Sequence, residues 1–290
     1  MSVTLSDLQT RLAYRLGEDS APSDSNEVNR RKSFFNEAQR KALGEYYWWF
    51  LEDQKSTTSV DAQEIYSLDS TFREMIELRV DGDVVTPIAK HDAFATFDYP
   101  PLSYQYESVT PNYYIFGDNE LHLLPIPSSA PSAVAVTSIT QTAGVATVTT
   151  TTAHGYFNHG WVTIAGATPT AYNGEQHITS VADTTHFTFS VASATTSPAT
   201  GTITATERNI VYRFWKLVVD LSDTTDTISL PDRYADALIA YAFGRKVGTI
   251  EGMEGTANNA FAEFNEIIKD MSAEQNRKQI YNKSVKPEWS

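Results

Sequence analysis

Histidine and carboxylate are the side chains here with most capacity for chemistry, and their spacing limits what they can do. The six histidines are His91, His122, His154, His159, His177 and His186. Four of them fall between residues 128 and 206, so a zinc site is the first possibility to weigh. Zinc needs converging ligands supported by a second layer of hydrogen bonds. Neither HGYFNHG nor QHITSVADTTHF has a recognised ligand spacing. His154 and His159 read as residues flanking a turn, and His177 and His186 as residues in or beside strands. Paired acids are the second possibility. Asp223 with Asp226, and Asp232 with Asp236, have the makings of an acid–base dyad, but carboxylates near a helix start are explained by capping and dipole charge. Asp81 and Asp83 flank Gly82, where turn chemistry accounts for them better than a bound cation. P-loop, GxGxxG, HExxH and GxSxG motifs are absent, and so is cysteine. Catalytic, cofactor-binding and metal-binding residues are therefore each expected to be none, and the chain is not expected to be an enzyme.

The elements that organise the chain begin at its C-terminal end. In ISLPDRYADALIAYAFGRKVG, starting at Ile228, Pro231 suits a first helical position and Asp232 and Asp236 meet the positive end of the helix dipole. Ala235, Leu238, Ile239, Ala242 and Phe243 keep helical spacing. After a Gly-rich turn, Ala257, Ala260, Phe261, Phe264, Ile267, Ile268 and Met271 form a second stripe. Two facing stripes over residues 228–271 predict an antiparallel helical hairpin. Upstream, Thr4–Leu16 predicts a helix capped by Thr4 or Ser6. A longer helix is expected from Val28 through Phe50, its aromatics broad enough to touch more than one neighbour. Leu51–Ser59 reads as a transition, VDAQEIYSL as a strand, Ser70–Met75 as a helical turn, and the Asp81-Gly82 pair as a hairpin turn. Residues 91–108 read as a short helix breaking into a Pro- and Tyr-rich loop. NYYIFGDNELHLLP predicts two strands around Gly117-Asp118-Asn119.

Composition changes after Pro127. From Ser128 to Thr206 the charged side chains are Glu175 and Asp183, while Thr, Ala, Val and Ser dominate. Short runs of alternating β-branched residues predict a small all-β, sandwich-like module with strands at 133–141, 145–151, 161–165, 176–181, 187–191 and 202–206. HLLPIP and IVYRFWKL would pair if that module were removed, so it reads as an insertion within a hairpin, which loop-closure entropy tolerates. The expected fold class is α+β: a helical bundle fused to an antiparallel β part, with an inserted all-β domain. The expected boundaries are 1–127 and 207–275 for the core, 128–206 for the insertion and 276–290 for an extended, locally basic tail.

Charge and hydropathy narrow the function classes. The 290 residues carry 22 Lys and Arg against 36 Asp and Glu, a net charge of −14. Such a surface repels nucleic acid, since phosphate binding rests on Lys and Arg. No apolar run approaches the ~20 residues of a membrane span. MSVTLSDLQTRL has no signal-peptide core, so synthesis in the cytoplasm is expected.

The order of these parts resembles the phage head–tail adaptor (connector) proteins that sit beneath the portal ring. The resemblance rests on FFNEAQRKALGEYYWW, DGDVVTPI, NYYIFGDNELHLLP, VYRFWKLVVDLSD and ISLPDRYADALIAYAFGRKVG, and covers residues 1–127 and 207–275. AHGYFNHGWVTIAGATPTAYNGEQHITSVADTTHFTFSV also resembles small β modules of phage structural proteins. The resemblance implies a virion protein at the head–tail interface, assembled in the host cytoplasm. It also implies a dodecameric ring on the portal protein that extends the DNA channel and docks a downstream tail or neck protein, with DNA passing unbound. It implies a portal-docking tail bearing Tyr281, Lys283, Lys286 and Trp289. The wide aromatic run suggests ring packing through Phe34, Tyr47, Trp48 and Phe50. A tail-associated host-binding protein using the β insertion is the alternative, and exposed aromatics converging on one face of the insertion would favour it.

Overall fold

The computed structural model describes residues 2–44, 46–88 and 112–284. It divides into a helical unit, 1–52 with 215–290, and a β unit, 53–214.

The helical unit is built around its most apolar helix. α1 (Leu5–Arg15) opens on a capping box in which Thr4 Oγ1 accepts from Asp7 N and Asp7 Oδ2 accepts from Thr4 N. α2 (Ser25–Leu43) starts three residues before the expected Val28, because Asp24 caps the Glu27 amide at 2.9 Å. It also stops early. Gly44 is its C-cap, and the chain turns through a 3₁₀ turn at Trp49–Leu51. The expected helix through Phe50 is thus two elements. α3 (Ala235–Val247) follows a 3₁₀ turn at Asp232–Tyr234, so Pro231 precedes that turn instead of opening the helix. Asp232 does not cap α3; its carboxylate accepts from the Val3 amide at 3.0 Å. α4 (Glu254–Ser284) runs well past Met271, and residues 272–284, expected as a helix end leading into an extended tail, are helical.

The pairs Gly244 with Phe261, Tyr241 with Phe264 and Tyr234 with Glu274 show that α3 and α4 run antiparallel. A Cβ at position 244 would lie 2.9 Å from the Phe261 ring, so the missing side chain sets the helix spacing. α3 is buried on nearly every side through Ala237, Leu238, Ala240 and Ala242, as expected of a helix with neighbours all round. Its C-terminal end is tied to α2 by Lys246, whose Nζ lies 2.6 Å from Glu27 Oε1. Glu27 also holds the fully buried Arg31 at 2.8 Å, with Glu18 the second counter-charge at 2.6 Å. Asn36 fastens α2 to the returning chain by donating to Leu221 O and accepting from Leu221 N.

The β unit holds a seven-stranded sheet and a closed barrel. The sheet strands are β1 (Glu52–Thr57), β2 (Ile65–Ser67), β3 (Phe72–Val80), β4 (Asp83–Pro87), β5 (Asn112–Phe116), β6 (Glu120–Leu124) and β13 (Ile210–Lys216), in the order β1-β13-β3-β4-β5-β6-β2. Two expectations change here. Ser70–Met75 is not helical: Asp69 Oδ1 accepts from the Thr71 amide in a tight turn, and β3 begins at Phe72. Nor do β6 and β13 pair, because β2 takes the edge of β6 while β13 sits between β1 and β3. The β3–β4 hairpin turns at Asp81-Gly82, both with positive φ, as a two-residue hairpin turn requires. β4 and β5 are parallel. The expected short helix over 91–108 lies outside the described residues.

The barrel comprises β7 (Val134–Thr142), β8 (Val145–Thr150), β9 (Trp161–Ala165), β10 (Gly174–Asp183), β11 (His186–Ser190) and β12 (Ile203–Glu207), ordered β10-β11-β8-β7-β12-β9. It is closed, not sandwich-like. β12 pairs with both β7 and β9, and β10, bent by two register shifts, pairs with both β9 and β11. Closure leaves no open strand edge. Ile139, Val148, Ile164, Tyr172, Phe187 and Phe189 fill the interior.

Candidate assembly site

The aromatic turn after α2 is where the last helix is fixed. Trp48 is fully buried, stacked on Phe50 at 5.9 Å and met edge-on by Tyr46 at 5.2 Å. Trp49 crosses Phe50 at 4.9 Å, and Tyr47 lies on Trp215 at 5.5 Å. A turn of this shape exposes backbone groups, and α4 satisfies two of them with one side chain. Gln275 Oε1 accepts from the Trp49 amide at 2.9 Å, and its Nε2 donates to Tyr47 O at 2.9 Å. Lys278 Nζ stands 4.2 Å over the Trp49 ring, with the Arg233 guanidinium 6.0 Å away over the same ring. Glu274 gathers Arg233 at 2.5 Å, Tyr234 Oη at 2.6 Å and Lys278 at 3.2 Å. The Tyr234 hydrogen bond first, then the two cations, pull the Glu274 carboxyl down to about 2. Together these contacts grip α4 at residues 274–278, and the helix continues to Ser284 beyond the grip.

The expected ring-packing residues do not share one helix face. Phe34 is half-buried on α2, with Arg245 5.4 Å over its ring. Phe50 is half-buried and Tyr47 exposed. Trp48 is fully buried in the core of the helical unit. Of the tail residues, Tyr281 and Lys283 fall on the last turn of α4, and Lys286 and Trp289 lie outside the described residues. Sequence reasoning passed over Arg233, Tyr234, Glu274 and Gln275. The signal available was Glu274 and Lys278, one helical turn apart, following an aromatic run that must find partners.

The groups weighed for chemistry are occupied in structural roles. Asp226 Oδ2 accepts from the Ser222 and Asp223 amides, which holds its carboxyl below the usual range in an ordinary turn. His122 Nδ1 is 2.8 Å from Glu64, and His186 Nδ1 is 2.9 Å from Asp183. His154 is buried against Tyr156 and Phe187, and burial pushes its pKa down. His159 and His177 stack at 5.9 Å, and His91 lies outside the described residues. Among the described residues no three His, Asp or Glu side chains are grouped to hold a metal, and no helix is long and apolar enough to cross a membrane.

The barrel is stapled to the sheet within the β unit. Arg208 donates to Ser56 Oγ at 2.8 Å and to the Ser56 carbonyl, and its Nη2 lies 3.1 Å from Glu175. Glu175 also accepts from Ser56 Oγ at 2.8 Å. Phe157 is the exposed aromatic among the described barrel residues, and no second one joins it on a common face.

Comparison with known proteins decides what these parts belong to. A family model described as SU10 adaptor protein matches residues 3–287. The chain belongs to the SU10 adaptor protein family. This adaptor is accordingly a phage structural protein of the virion, whose neighbours are other head or tail proteins. No curated protein matches it. Among solved structures it is similar to the Phage phi92 endosialidase at 16% identity, over 57% of this chain and 32% of that one. The TM-score of 0.25 is too low to bear on fold or function.

Proposed function

We propose that the adaptor joins head to tail as a ring beneath the portal, extends the DNA channel and presents a docking surface to the next tail or neck protein. Its C-terminal segment is the portal-binding element. The observation that carries this reading is the grip on α4. The helix is anchored at Gln275 and then continues beyond its own core. The anchored helix leads into the segment proposed to dock, with Tyr281 and Lys283 on its last turn.

Charge distribution supports the channel role. The helical unit's 16 Lys and Arg stand against 20 Asp and Glu, and the β unit's 6 stand against 16, so most of the −14 lies in the β unit. An acidic wall lets DNA slide without sticking. Residues 1–127 and 207–275 form the adaptor core in this scheme, 128–206 an inserted domain that meets tail proteins, and twelve copies close the ring. Removing residues 279–290 leaves Gln275 and Lys278 in place. A purified portal should capture the full chain and fail to capture the truncated one. Equal capture of both would refute the docking role.

A further inference from the structure

The strands that carry the sheet's core on one face line a polar cleft on the other. Ile210, Tyr212 and Phe214 of β13 and Leu78 and Val80 of β3 face the core. Alternation therefore turns Arg213, Glu77 and Arg79 to the opposite face, and β1 adds Gln54 beside them. The barrel turn between β8 and β9 forms the facing wall through Phe157, Asn158 and His159, enclosing a cleft of about 280 Å³. That volume is near the lower end of small-molecule sites, about 300–1,000 Å³, and suits a single ring-sized ligand.

Both walls are fixed by the protein's own contacts. Arg79 Nε meets Glu77 Oε1 at 2.6 Å, and Arg79 Nη1 donates to Gly82 O at 3.2 Å. Glu77 Oε2, Arg79 Nη2 and the Gln54 side-chain amide have no partner among the described residues. On the barrel side Gly160 N donates to Phe157 O at 3.0 Å, His159 N to Ile178 O at 3.1 Å, and Val181 N to Asn158 Oδ1 at 2.5 Å. Phe157 is 43% exposed, and its ring lies against the β3–β4 turn, where a Cβ on Gly82 would sit 3.8 Å from Cε1.

The lining chooses the class of ligand. An anion would meet the Glu77 carboxylate, and a cation would meet the Arg79 and Arg213 guanidiniums. A hydroxyl donates and accepts, so it can use the open atoms of Glu77, Arg79 and Gln54 without breaking the Glu77–Arg79 pair. The negative face of the Phe157 ring attracts C–H groups. We infer that this cleft binds one neutral sugar ring, its hydroxyls on Glu77, Arg79 and Gln54 and its C–H face on Phe157. This activity is separate from the adaptor role proposed above.

Saturation-transfer NMR on the full chain tests it. The probes are methyl glycosides of neutral hexoses and N-acetylhexosamines, with glucuronic acid and glucosamine as charged counterparts. Transfer to a neutral glycoside should appear, strongest at the protons of one ring face. Phe157→Ala and Glu77→Gln should each weaken binding by about tenfold or more. Phe116→Ala removes an aromatic of similar exposure in the same unit and should leave binding unchanged. Phe157 and Glu77 lie outside the buried core, so these variants should fold as the parent does. No transfer to any neutral glycoside, equal binding in Phe157→Ala, or a preference for glucuronic acid or glucosamine would each overturn the inference, and none of these results bears on ring assembly.

Discussion

Replacing Gln275 with alanine is the sharpest perturbation of the grip on α4. The side chain is buried and serves two backbone groups at once, the Trp49 amide and the Tyr47 carbonyl. Each group left unpaired in the interior costs about 1–3 kcal/mol. The carbonyl belongs to an exposed residue and regains water, so it contributes at the low end. The sum expected for Gln275→Ala is about 2–4 kcal/mol. At about 3 °C per kcal/mol for a unit of this size, melting followed by tryptophan fluorescence should fall by about 6–12 °C. Hydrogen exchange supplies the local readout: the Trp49 amide should lose protection, and residues 276–284 should exchange faster as the helix end lifts. Gln275→Leu keeps most of the volume and should behave almost as badly, because the loss is of hydrogen bonds and not of packing. A melting point within about 1 °C of the parent, with Trp49 still protected, would refute the reasoning.

Other outcomes follow from the same contacts. Arg208→Ala removes the staple between barrel and sheet and should destabilise the β unit by about 1–3 kcal/mol, less than a fully buried pair because Glu175 is partly exposed; calorimetry should show it. Gly244→Val drives a side chain into the Phe261 ring and should cost about 1–3 kcal/mol by overpacking, seen as a lower denaturant midpoint. His154 has its folded pKa held below the ordinary 6.5 by burial. The unfolded chain therefore takes up that proton first, stability is full above about 6.5 and falls below it, and His154→Gln should flatten the acid limb of the melting profile. Glu274 is depressed to about 2, so its contribution is present above about 4.5 and is lost as pH falls from there towards 2. Exchange of residues 276–284 should rise across that window and not in Glu274→Gln.

What the sequence made legible was local. The barrel strands follow from alternating Val, Thr and Ile, and α3 and α4 from apolar spacing. Closure of the barrel was not legible, because alternation assigns side chains to inside and outside without saying which strands meet. The place of β13 between β1 and β3 depends on pairing across more than a hundred residues, and nothing local to IVYRFWK specifies it. The Tyr46–Phe50 run kept helical spacing, yet Gly44 ended the helix and Trp48 turned inward; a compact aromatic turn satisfies the same spacing. Residues beyond Met271 are polar and so read as a helix end followed by an extended tail from 276, although Ala273, Glu274, Gln275, Arg277 and Lys278 are good helix formers. The grip itself was invisible for a related reason, since its partners lie in three separate stretches of chain.

Electron microscopy of the full chain mixed with purified portal tests the central claim most directly. The account predicts a closed ring of adaptor seated on the portal, its symmetry matching the ring beneath which it sits. A persistent monomer that leaves the portal bare would contradict it.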